Sequence, residues 1–476
     1  MSRNWSQYQK DIFSFVETGK GNAIVVAVAG SGKSTTIVEA LGRVKGNAIF
    51  LAFNKAIAEE LKARGVNART FHSLTYGTVA NHLGGAMDGD KLRKLVQTNF
   101  TNGNDAFIYG AFCCRLVSLG KQAGVGCLIN DTEQTWIDIC AYHDLEPEHE
   151  DADFKRAIEL ASDLLRYSNE SRNFDFDDML YIPVKEGLSL PKFDFIFVDE
   201  AQDTNAIQRA LLKKLFKPST RMVAVGDPAQ AIYGFRGADS DSLHRIAKDF
   251  KAITLPLSVS YRCGQNIVKY ARKWVSHIEH AEGAHEGIVQ EHTKWDLDIF
   301  QGNDLVVCRT TRPILALAFR LIKARIPAFV MGREIGQGLK ALIRKLKAAD
   351  VPDLLEKLGR WREREIEKAL VKMEEAKIES INDKADCILV LCDDIESIMD
   401  LNDAIDNVFA NKENAVKLAT IHKSKGLEAQ RVFWLNRQAC PSKWAKQKWQ
   451  KEQEDNLCYV AATRAIAELH LIEEVV

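Results

Sequence analysis

The chain has 476 residues, of which 46% are hydrophobic and 27% charged, and its formal net charge is −1. This length exceeds what one hydrophobic core organises and predicts about three or four domains, in a composition typical of soluble globular proteins. The near-zero charge excludes a uniformly basic nucleic-acid coat protein, although a local basic groove remains compatible with it.

Cysteine usage and hydropathy give an expectation about the compartment. The ten cysteines are scattered and form no C-x-x-C pair, so we expect reduced thiols in an intracellular protein. The first residues, MSRNWSQYQKD, contain no apolar signal core, and no apolar run approaches the ~20 residues of a membrane span. We therefore expect a soluble, cytoplasmic protein with no membrane partner.

A short amphipathic helix is predicted over residues 5–15, WSQYQKDIFSF. Its Gln9 has a side-chain amide of the kind that binds an adenine edge through two hydrogen bonds. Taken alone, the segment is more simply a surface helix with an exposed glutamine.

The stretch AVAGSGKSTT at residues 27–36 has the form of a phosphate-binding loop. A buried strand is predicted over 23–29, and the turn that follows contains Gly30 and Gly32. Helix-forming sequence comes next, so the loop has the strand–turn–helix context that the motif requires. The general motif begins with glycine, whereas this chain has Ala27.

The chemistry of this loop is that of nucleotide binding. Its backbone N–H groups and the helix N-terminus attract phosphate oxygens. Lys33 is expected to reach the β- and γ-phosphates, and the Ser34 hydroxyl is expected to bind Mg²⁺. The loop predicts binding of ATP or GTP, without indicating what hydrolysis drives.

Two more strands are predicted at residues 47–53 and 68–74. The first ends at Phe53, and the second is a short strand within the segment 68–74 that ends in Phe71 and His72. Ligands bind at the carboxyl ends of strands in open parallel α/β sheets, where aromatic rings can stack on bases. Core packing of the two phenylalanines is the alternative.

From about residue 76 to residue 172 the pattern is helical, which predicts an inserted helical subdomain. The segment FDFDDML that follows carries Asp175, Asp177 and Asp178. A metal site is one interpretation, but capping of the next helix is the simpler one.

The apolar strand in FDFIFVDEAQD, residues 193–203, ends in Asp199 and Glu200. This places two carboxylates at the edge of the sheet that faces the phosphate-binding loop. One is suited to holding Mg²⁺ and the other to polarising the attacking water. Together with the loop, the pair predicts nucleotide hydrolysis.

A further strand, residues 221–227, leads into PAQAIYGFRGAD. Gln230 is placed to sense a γ-phosphate. Tyr233, Phe235 and Arg236 combine aromatic and cationic groups, as a single-strand nucleic-acid platform does.

An extended segment over residues 253–268 presents Tyr261 and Arg262, and a second α/β unit follows from residue 304. Between them, the segment at residues 277–287 offers His277, His280 and His285 with Glu279 and Glu286. Zinc is one interpretation, but the spacing fits no familiar ligand pattern and favours an exposed polar segment.

Residues 334–411 are helical and highly charged, and the segment from Lys357 to Ser380 reads as a solvated helix with many i,i+4 ion pairs. A basic DNA-binding face is the alternative there. The chain then returns to the second sheet at residues 415–435 and 456–472.

Between these last two segments lies CPSKWAKQKWQKEQED, in which two tryptophans alternate with lysines: Trp444 and Trp449 with Lys443, Lys446, Lys448 and Lys451. This mixture suits a nucleic-acid strand. Packing of both tryptophans on one helix is an equal alternative.

Read together, these stretches resemble the UvrD/Rep family of superfamily 1 DNA helicases. The resemblance rests on an ordered series over nearly the whole chain: SQYQKDI, AVAGSGKST, AFNKAIAEEL, TFHSL, VDEAQD, GDPAQAIYGFRGA, SYR, TIHKSKGLE and YVAATRA. It implies an α/β fold with two RecA-like parallel-sheet motor domains of the P-loop NTPase type, each carrying a mainly helical insertion.

The resemblance also implies domain boundaries. The first motor domain is expected at residues 1–75 and 174–255, with a helical insertion at 76–173. The second is expected at 256–333 and 412–476, with a short helical insertion at 334–411. That last insertion looks shorter than in larger relatives.

For the ATP site, the resemblance assigns roles by motif position. Lys33, Ser34 and Asp199 hold phosphate and Mg²⁺, Glu200 is the catalytic base, and Gln230 couples the γ-phosphate to movement. Further ATP contacts fall on the rest of the phosphate loop and three other positions: Ala27, Val28, Ala29, Gly30, Ser31, Gly32, Thr35, Gln9, Tyr261 and Glu428. Arg262 and Arg464 match the arginine fingers, which stabilise charge on the transferring phosphoryl oxygens.

The resemblance further implies single-stranded DNA contacts at Phe53, Asn54, Phe71, His72, Tyr233, Phe235, Arg236 and His422. Phe235 replaces a tryptophan often found at its place. The function implied is an ATP-dependent DNA helicase that moves 3′ to 5′ on single strands and separates duplex DNA. Its implied cofactors are ATP and Mg²⁺, and its partners are single-stranded and partial-duplex DNA, with loading or repair and recombination proteins.

Two rival functions remain open at this point. One is a translocase that strips proteins from single strands but unwinds poorly, which the short insertion at 334–411 suggests. The other is a nucleotide-gated binding module without turnover, against which the presence of Glu200, Gln230, Arg262 and Arg464 argues. RNA as the substrate also stays open.

Overall fold

The computed structural model describes residues 4–102, 104–143, 145–147, 149, 151–232, 241–371, 375–393 and 395–473. The chain divides into two compact units. The first comprises Met1–Ala27 and Gly32–Leu257, and the second comprises Val28–Ser31 and Ser258–Val476. Each unit contains a six-stranded sheet whose described strand pairs are all parallel. The predicted α/β class with two parallel sheets is confirmed.

The sheet of the first unit consists of β1 (Ala23–Ala27), β2 (Ala48–Leu51), β3 (Ala68–Arg69), β4 (Phe195–Val198), β5 (Arg221–Gly226) and β6 (Ile253–Leu257). Their order is β3-β2-β4-β5-β1-β6. Strands β4 and β5 are apolar and buried on both faces, as expected for parallel strands that helices cover on both sides. Because β4, β5 and β1 are neighbours, the residues that follow these strands lie at one edge of the sheet.

The helices of the first unit are α1 (Gln7–Thr18), α2 (Lys33–Leu41), α3 (Lys55–Ala63), α4 (Phe71–Leu83), α5 (Lys91–Asn99), α6 (Asp105–Ala123), α7 (Glu133–His143), α8 (Phe154–Glu170), α9 (Phe176–Lys185), α10 (Ala206–Lys214) and α11 (Ser242–Asp249). Side chains of α1, α2 and α3 share a core with one face of the sheet. Those of α4 to α11 form a second core that includes the other face. The predicted helical stretch between the third and fourth strands is confirmed.

One predicted strand is wrong in its extent. The short strand expected to end in Phe71 and His72 stops at Arg69 instead, and both residues lie in the first turn of α4. The reason is a capping box: Thr70 Oγ1 accepts a hydrogen bond from Ser73 N at 3.1 Å, and Ser73 Oγ accepts one from Thr70 N at 3.0 Å. This local exchange starts a helix where the apolar pattern suggested a strand.

The capping interpretation of the acidic segment at residues 174–180 is confirmed. Asp175 is the N-cap of α9 and forms a capping box with Asp178. These carboxylates also pair with two buried lysines. Lys121 Nζ lies 2.9 Å from Asp175 Oδ2 and 2.7 Å from Asp178 Oδ1, and Lys91 Nζ lies 2.7 Å from Asp178 Oδ2. This buried ion cluster joins α5 and α6 to α9.

The sheet of the second unit is formed by β9 (Ile288–His292), β10 (Leu305–Cys308), β11 (Ala328–Val330), β12 (Val416–Thr420), β13 (Ala429–Leu435) and β14 (Ala465–Ile472). Their order is β11-β12-β10-β13-β14-β9. A two-stranded sheet, β7 (Val259–Ser260) with β8 (Glu279–His280), is separate from it.

The helices of the second unit are α12 (Gln265–Ala271), α13 (Arg312–Lys323), α14 (Arg333–Leu346), α15 (Val351–Val371), α16 (Glu375–Leu391), α17 (Ile398–Phe409), α18 (Ile421–Ser424) and α19 (Lys448–Ala462). The expectation of a solvated charged helix over residues 357–380 is wrong for the part of it that lies in α15. Leu354, Leu358 and Trp361 form a buried stripe in the core of this unit, at helical spacing. The many charges concealed that apolar stripe in the sequence.

Neither membrane spans nor metal clusters occur among the described residues. No helix there is long and apolar enough to cross a membrane. No three or more His, Cys, Asp and Glu side chains in this part of the chain form a group suited to a metal ion. The histidines and glutamates of residues 277–287 are exposed, which agrees with the polar-segment interpretation.

The buried ion cluster generates a prediction about stability. Lys121→Met removes the cation that contacts both Asp175 and Asp178 and leaves buried carboxylates short of charge compensation. We expect the free energy of unfolding to fall by about 3–5 kcal/mol, measured by urea denaturation. Lys94→Met is the control, because Lys94 forms an exposed pair with Asp88 at 2.8 Å and should change stability little. Equal losses in the two variants would contradict the account.

Candidate nucleotide-binding site

The phosphate-binding loop has the backbone that its sequence predicts. Gly30 and Gly32 adopt left-handed conformations, with φ of 71° and 74°, which glycine accepts without steric cost. Helix α2 begins directly after Gly32, so its N-terminus opens toward the loop. Ser31 Oγ is buried, and the described residues offer it no hydrogen-bond partner, as suits a donor to a phosphate oxygen. The other predicted loop residues are buried, except the half-buried Thr35: Ala27, Val28 and Ala29.

Lys33 is surrounded by carboxylates. Its Nζ lies 3.3 Å from Glu200 Oε1. Burial alone lowers the pKa of this lysine, but the charges of Glu200, Asp227 and Asp199 outweigh burial, and the pKa is raised. Lys33 is therefore a fixed cation at the start of α2. One positive charge here faces three acidic side chains.

Asp199 and Ser34 supply two oxygen ligands of the kind that Mg²⁺ prefers. Ser34 Oγ lies 3.4 Å from Asp199 Oδ2. Burial and the neighbouring charge of Glu200 raise the pKa of Asp199 to about 7, although Lys33 opposes the shift. A carboxylate in such surroundings is stabilised by a further cation. The donor set and its charge thus fit a magnesium ion.

A chain of hydrogen bonds connects Gln230 to Glu200 through two residues. Gln230 Nε2 donates to Asp227 Oδ2 at 2.6 Å, and Asp227 N donates to Gln202 Oε1 at 3.1 Å. Gln202 Nε2 in turn donates to Glu200 Oε2. Glu200 itself has a φ of 49°, a left-handed conformation that costs energy in a residue with a side chain.

Sequence reasoning missed Gln202 and Asp227 in this chain. Burial raises the pKa of Asp227, and the nearby charge of Lys33 opposes this shift without cancelling it. Asp227 follows β5 as Asp199 follows β4, so its position after a buried strand was a usable signal. Gln202 gave no such signal, because its contacts depend on the turn after β4.

The surface interpretation of Gln9 is wrong. Its side chain is buried, with Nε2 donating to Thr36 Oγ1 in α2 at 2.9 Å. Its Oε1 accepts a hydrogen bond from Ser6 N at 3.0 Å, in a capping box that starts α1. This amide therefore lies beside the helix that leaves the phosphate-binding loop.

In the second unit, Arg262 and Glu428 form an ion pair. Arg262 Nε lies 2.6 Å from Glu428 Oε2, and its Nη1 donates to Thr463 O at 3.2 Å. The glutamate side chain is half-exposed, whereas the guanidinium is largely covered. Through these contacts, Arg262, which follows β7, meets Glu428 just before β13 and Thr463 just after α19.

Arg464 lies in the same part of the second unit and is 1% exposed. Its Nε donates to Val460 O at 3.1 Å, and its Nη1 donates to Leu427 O at 3.0 Å. Main-chain carbonyls thus fix the guanidinium beside the residue that precedes Glu428. The structure places Arg262, Glu428 and Arg464 within one cluster.

Two residues of the second unit bind the loop segment that belongs to this unit. Tyr261 N donates to Gly30 O at 2.8 Å, and Ala29 N donates to Tyr459 Oη at 2.8 Å. A Cβ on Gly30 would lie 2.5 Å from Arg262 Cβ, so this close approach requires glycine. The Tyr261 ring is 46% exposed and is accessible for stacking.

The predicted DNA contacts of the first unit differ in exposure. Phe53 is 45% exposed near the carboxyl end of β2, and Asn54 is the N-cap of α3. Phe71 is buried in the core, which favours the packing alternative for its ring. His72 packs edge-on against Phe176 with ring centroids 6.1 Å apart, and burial lowers the pKa of His72.

The other predicted DNA contacts lie elsewhere. His422 is half-buried in α18 of the second unit. Tyr233, Phe235 and Arg236 lie outside the described residues.

Comparison with protein families matches both units. Residues 8–251, which are 244 of the 476, match the UvrD/REP helicase N-terminal domain, and residues 355–474 match the UvrD-like helicase C-terminal domain. The chain therefore belongs to the UvrD/REP helicase family, and its two parallel-sheet units have the RecA-like fold. Membership of this family implies use of ATP.

Named relatives agree with this assignment. F-box DNA helicase protein 1 of Schizosaccharomyces pombe is 26% identical over 93% of this chain and 54% of its own length. ATP-dependent DNA helicase PcrA of Staphylococcus epidermidis is 25% identical over 55% of this chain and 39% of its own length. DNA helicase II of Haemophilus influenzae is 41% identical over 18% of this chain and 12% of its own length. The chain thus spans about half or less of these relatives.

The loop geometry predicts the effect of removing Lys33. In Lys33→Ala, the phosphates lose their fixed cation, so ATP with Mg²⁺ should no longer raise the unfolding temperature, as it should in the wild type. A thermal-shift titration measures this. The control is Lys45→Ala, an exposed lysine after α2 that should leave the shift unchanged. A full ATP-dependent shift in Lys33→Ala would refute the site.

Proposed function

We propose that the chain is an ATP-dependent DNA helicase and translocase that moves 3′ to 5′ on single-stranded DNA and separates duplex strands. The observation that carries this proposal is the convergence of Lys33, Ser34, Asp199 and Glu200 at one sheet edge. A module that only binds nucleotide has no need of the second carboxylate. The relatives that are named DNA helicases support DNA as the substrate.

In this proposal, the phosphate-binding loop, the start of α2 and the residues that follow β4 and β5 divide the chemistry of hydrolysis. Lys33 and the loop N–H groups bind the phosphates, and Ser34 with Asp199 holds Mg²⁺. The metal ion supplies positive charge to the phosphate oxygens. Glu200 accepts a proton from the attacking water, and Gln230 senses the γ-phosphate.

The contact between Lys33 and Glu200 suggests how binding prepares the base. The phosphates of ATP compete with the Glu200 carboxylate for the Lys33 ammonium group. Once Lys33 binds phosphate, Glu200 keeps its hydrogen bond from Gln202 and is available to a water molecule. The Gln202–Asp227–Gln230 chain then connects the base to the γ-phosphate sensor.

The second unit contributes contacts to nucleotide and charge in this account. Arg262 and Arg464 act as arginine fingers on the transferring phosphoryl group. Tyr261 stacks on the adenine, Gln9 of the first unit hydrogen-bonds the adenine edge, and Glu428 contacts the ribose. Pairing with Glu428 keeps Arg262 oriented before ATP binds.

Single-stranded DNA is proposed to contact residues of both units. The most accessible described candidate is Phe53, together with Asn54 beside it. His72 and His422 are half-buried and present only part of their rings. We further propose that residues 76–173 and 334–411 act as the helical insertions of the two motor domains. Loading, repair or recombination proteins are the proposed protein partners.

Glu200→Gln separates binding from turnover. The amide keeps the size of the side chain but cannot accept the proton of water, so we expect ATP hydrolysis to fall by a factor of about 10² or more. ATP-dependent thermal stabilisation should persist in the same variant. Glu39→Gln, on the outer face of α2, is the control and should keep wild-type turnover. A Glu200→Gln variant with wild-type turnover would remove Glu200 from the mechanism.

Strand separation on two matched partial duplexes tests direction and activity together. One substrate has a 3′ single-stranded tail and the other a 5′ tail. The proposal predicts ATP-dependent unwinding of only the 3′-tailed substrate. Unwinding of only the 5′-tailed substrate would contradict the direction. Unwinding of neither, with ATP hydrolysis still stimulated by single strands, would favour the translocase that unwinds poorly.

A further inference from the structure

Residues 443–451, here called the Lys–Trp segment, lie before and within the start of α19. The segment contains four lysines and two tryptophans in nine residues and no acidic residue. This is a strong local excess of positive charge in a chain whose net charge is −1. None of the nucleotide or DNA roles proposed above includes these residues.

The structure shows where the two tryptophans lie relative to α19. Helix α19 begins at Lys448, so Trp444 precedes the helix and Trp449 lies in its first turn. The two tryptophans therefore do not both lie on one helix. Both rings remain partly exposed, and all four lysines are exposed: Lys443, Lys446, Lys448 and Lys451. This arrangement favours a surface that contacts something else.

The start of the Lys–Trp segment is fixed to the core of the second unit. Trp444 N donates to Ser442 Oγ at 3.3 Å, and Ser442 N donates to Glu454 Oε2 at 2.8 Å. Glu454 is buried and pairs with Arg309 at 2.7 Å. Ser442 Oγ also donates to Glu379 in α16 at 3.3 Å. The turn thus presents Trp444 from a defined position, which lowers the entropy cost of binding.

Two of the four lysines make contacts at the protein surface. Lys443 Nζ lies 4.8 Å from the centroid of the Trp444 ring, a cation–aromatic contact. Lys448 lies 3.7 Å from Glu452, but their side chains are 92% and 54% exposed, so this pair is weak. Cationic heads beside aromatic faces match the phosphates and bases of a single nucleic-acid strand.

We propose that the Lys–Trp segment is a second binding surface for single-stranded nucleic acid, in which the lysines contact phosphates and the tryptophans stack on bases. The inference rests on the proposed function, because the ligand is the strand on which the helicase moves. Helix α19 packs against α18, which carries the predicted DNA contact His422. The surface therefore belongs to the same group of elements as that contact.

The charge component is tested by fluorescence anisotropy with a labelled oligothymidylate across a range of salt concentrations. The variant replaces all four lysines of the segment by glutamine. We expect affinity to fall about tenfold or more at about 0.1 M salt. The slope of log affinity against log salt should become less negative by up to about 3, at roughly 0.7 per phosphate contact on single strands. The matched control replaces four exposed lysines of the same unit by glutamine: Lys269, Lys294, Lys345 and Lys417.

The aromatic component is tested by two double variants. Trp444→Phe with Trp449→Phe retains two aromatic faces and should bind nearly as the wild type does. Trp444→Leu with Trp449→Leu removes both faces and should weaken binding about tenfold. Thermal unfolding of each variant, compared with the wild type, shows that the fold is kept.

Three outcomes would overturn parts of the account, and they are distinguishable. Wild-type binding by the four-lysine and leucine variants would remove the surface and leave the proposed function intact. Equal losses on a blunt duplex and on the single strand would contradict stacking on unpaired bases. Failure of the wild type itself to bind the oligonucleotide would refute the proposed function, and this inference with it.

Discussion

The nucleotide site depends on one electrostatic imbalance. Lys33 is a largely covered cation, and the charges of Asp199, Glu200 and Asp227 all act on its ammonium group. Negative charge is in excess here, and burial together with the charge of Glu200 raises the pKa of Asp199 to about 7. A divalent cation beside Asp199 would compensate the excess negative charge. An anion beside Lys33 would take the place of a carboxylate as the partner of its ammonium group. A magnesium nucleotide, the ligand proposed for this site, would bring both.

The sheet explains why these groups meet. Strands β4, β5 and β1 are parallel neighbours, so the carboxylates after β4 and β5 arrive at the edge where the loop leaves β1. Buried apolar strands fix that edge, and Gln202 connects the two carboxylate-bearing turns. The second unit shows a related principle. There Arg262 is oriented by Glu428 and a main-chain carbonyl, and Arg464 by main-chain carbonyls, which suits the arginine-finger role proposed for them. Preorganised charge of this kind costs little reorganisation during reaction.

The sequence was most informative where a local pattern has one physical meaning. Glycines before a lysine at a helix start, and acidic residues directly after an apolar strand, predicted the loop and Asp199–Glu200. The same reasoning placed the cap at Asp175. Each of these inferences needs only a few neighbouring residues. The two parallel sheets and the helical stretches followed from the alternation of apolar runs and helical periodicity.

What the sequence did not reveal depends on contacts between distant residues or on competition between local preferences. Lys91 and Lys121 pair with Asp178 across 87 and 57 residues of chain. No local sequence pattern predicts ion pairs between residues so far apart. The capping box at Thr70 overrode an apolar run and converted a predicted strand end into a helix. In α15, charged residues outnumber the buried residues Leu354, Leu358 and Trp361. The composition therefore predicted an exposed helix, although one face of α15 packs in the core.

The central claim is that this site hydrolyses ATP in response to a nucleic-acid strand. The most direct measurement is the steady-state rate of ATP hydrolysis by the purified chain with Mg²⁺, with and without saturating oligothymidylate. The account predicts a low rate alone and a rate at least tenfold higher with the single strand. ATP binding with no turnover, or turnover that ignores the strand, would contradict it.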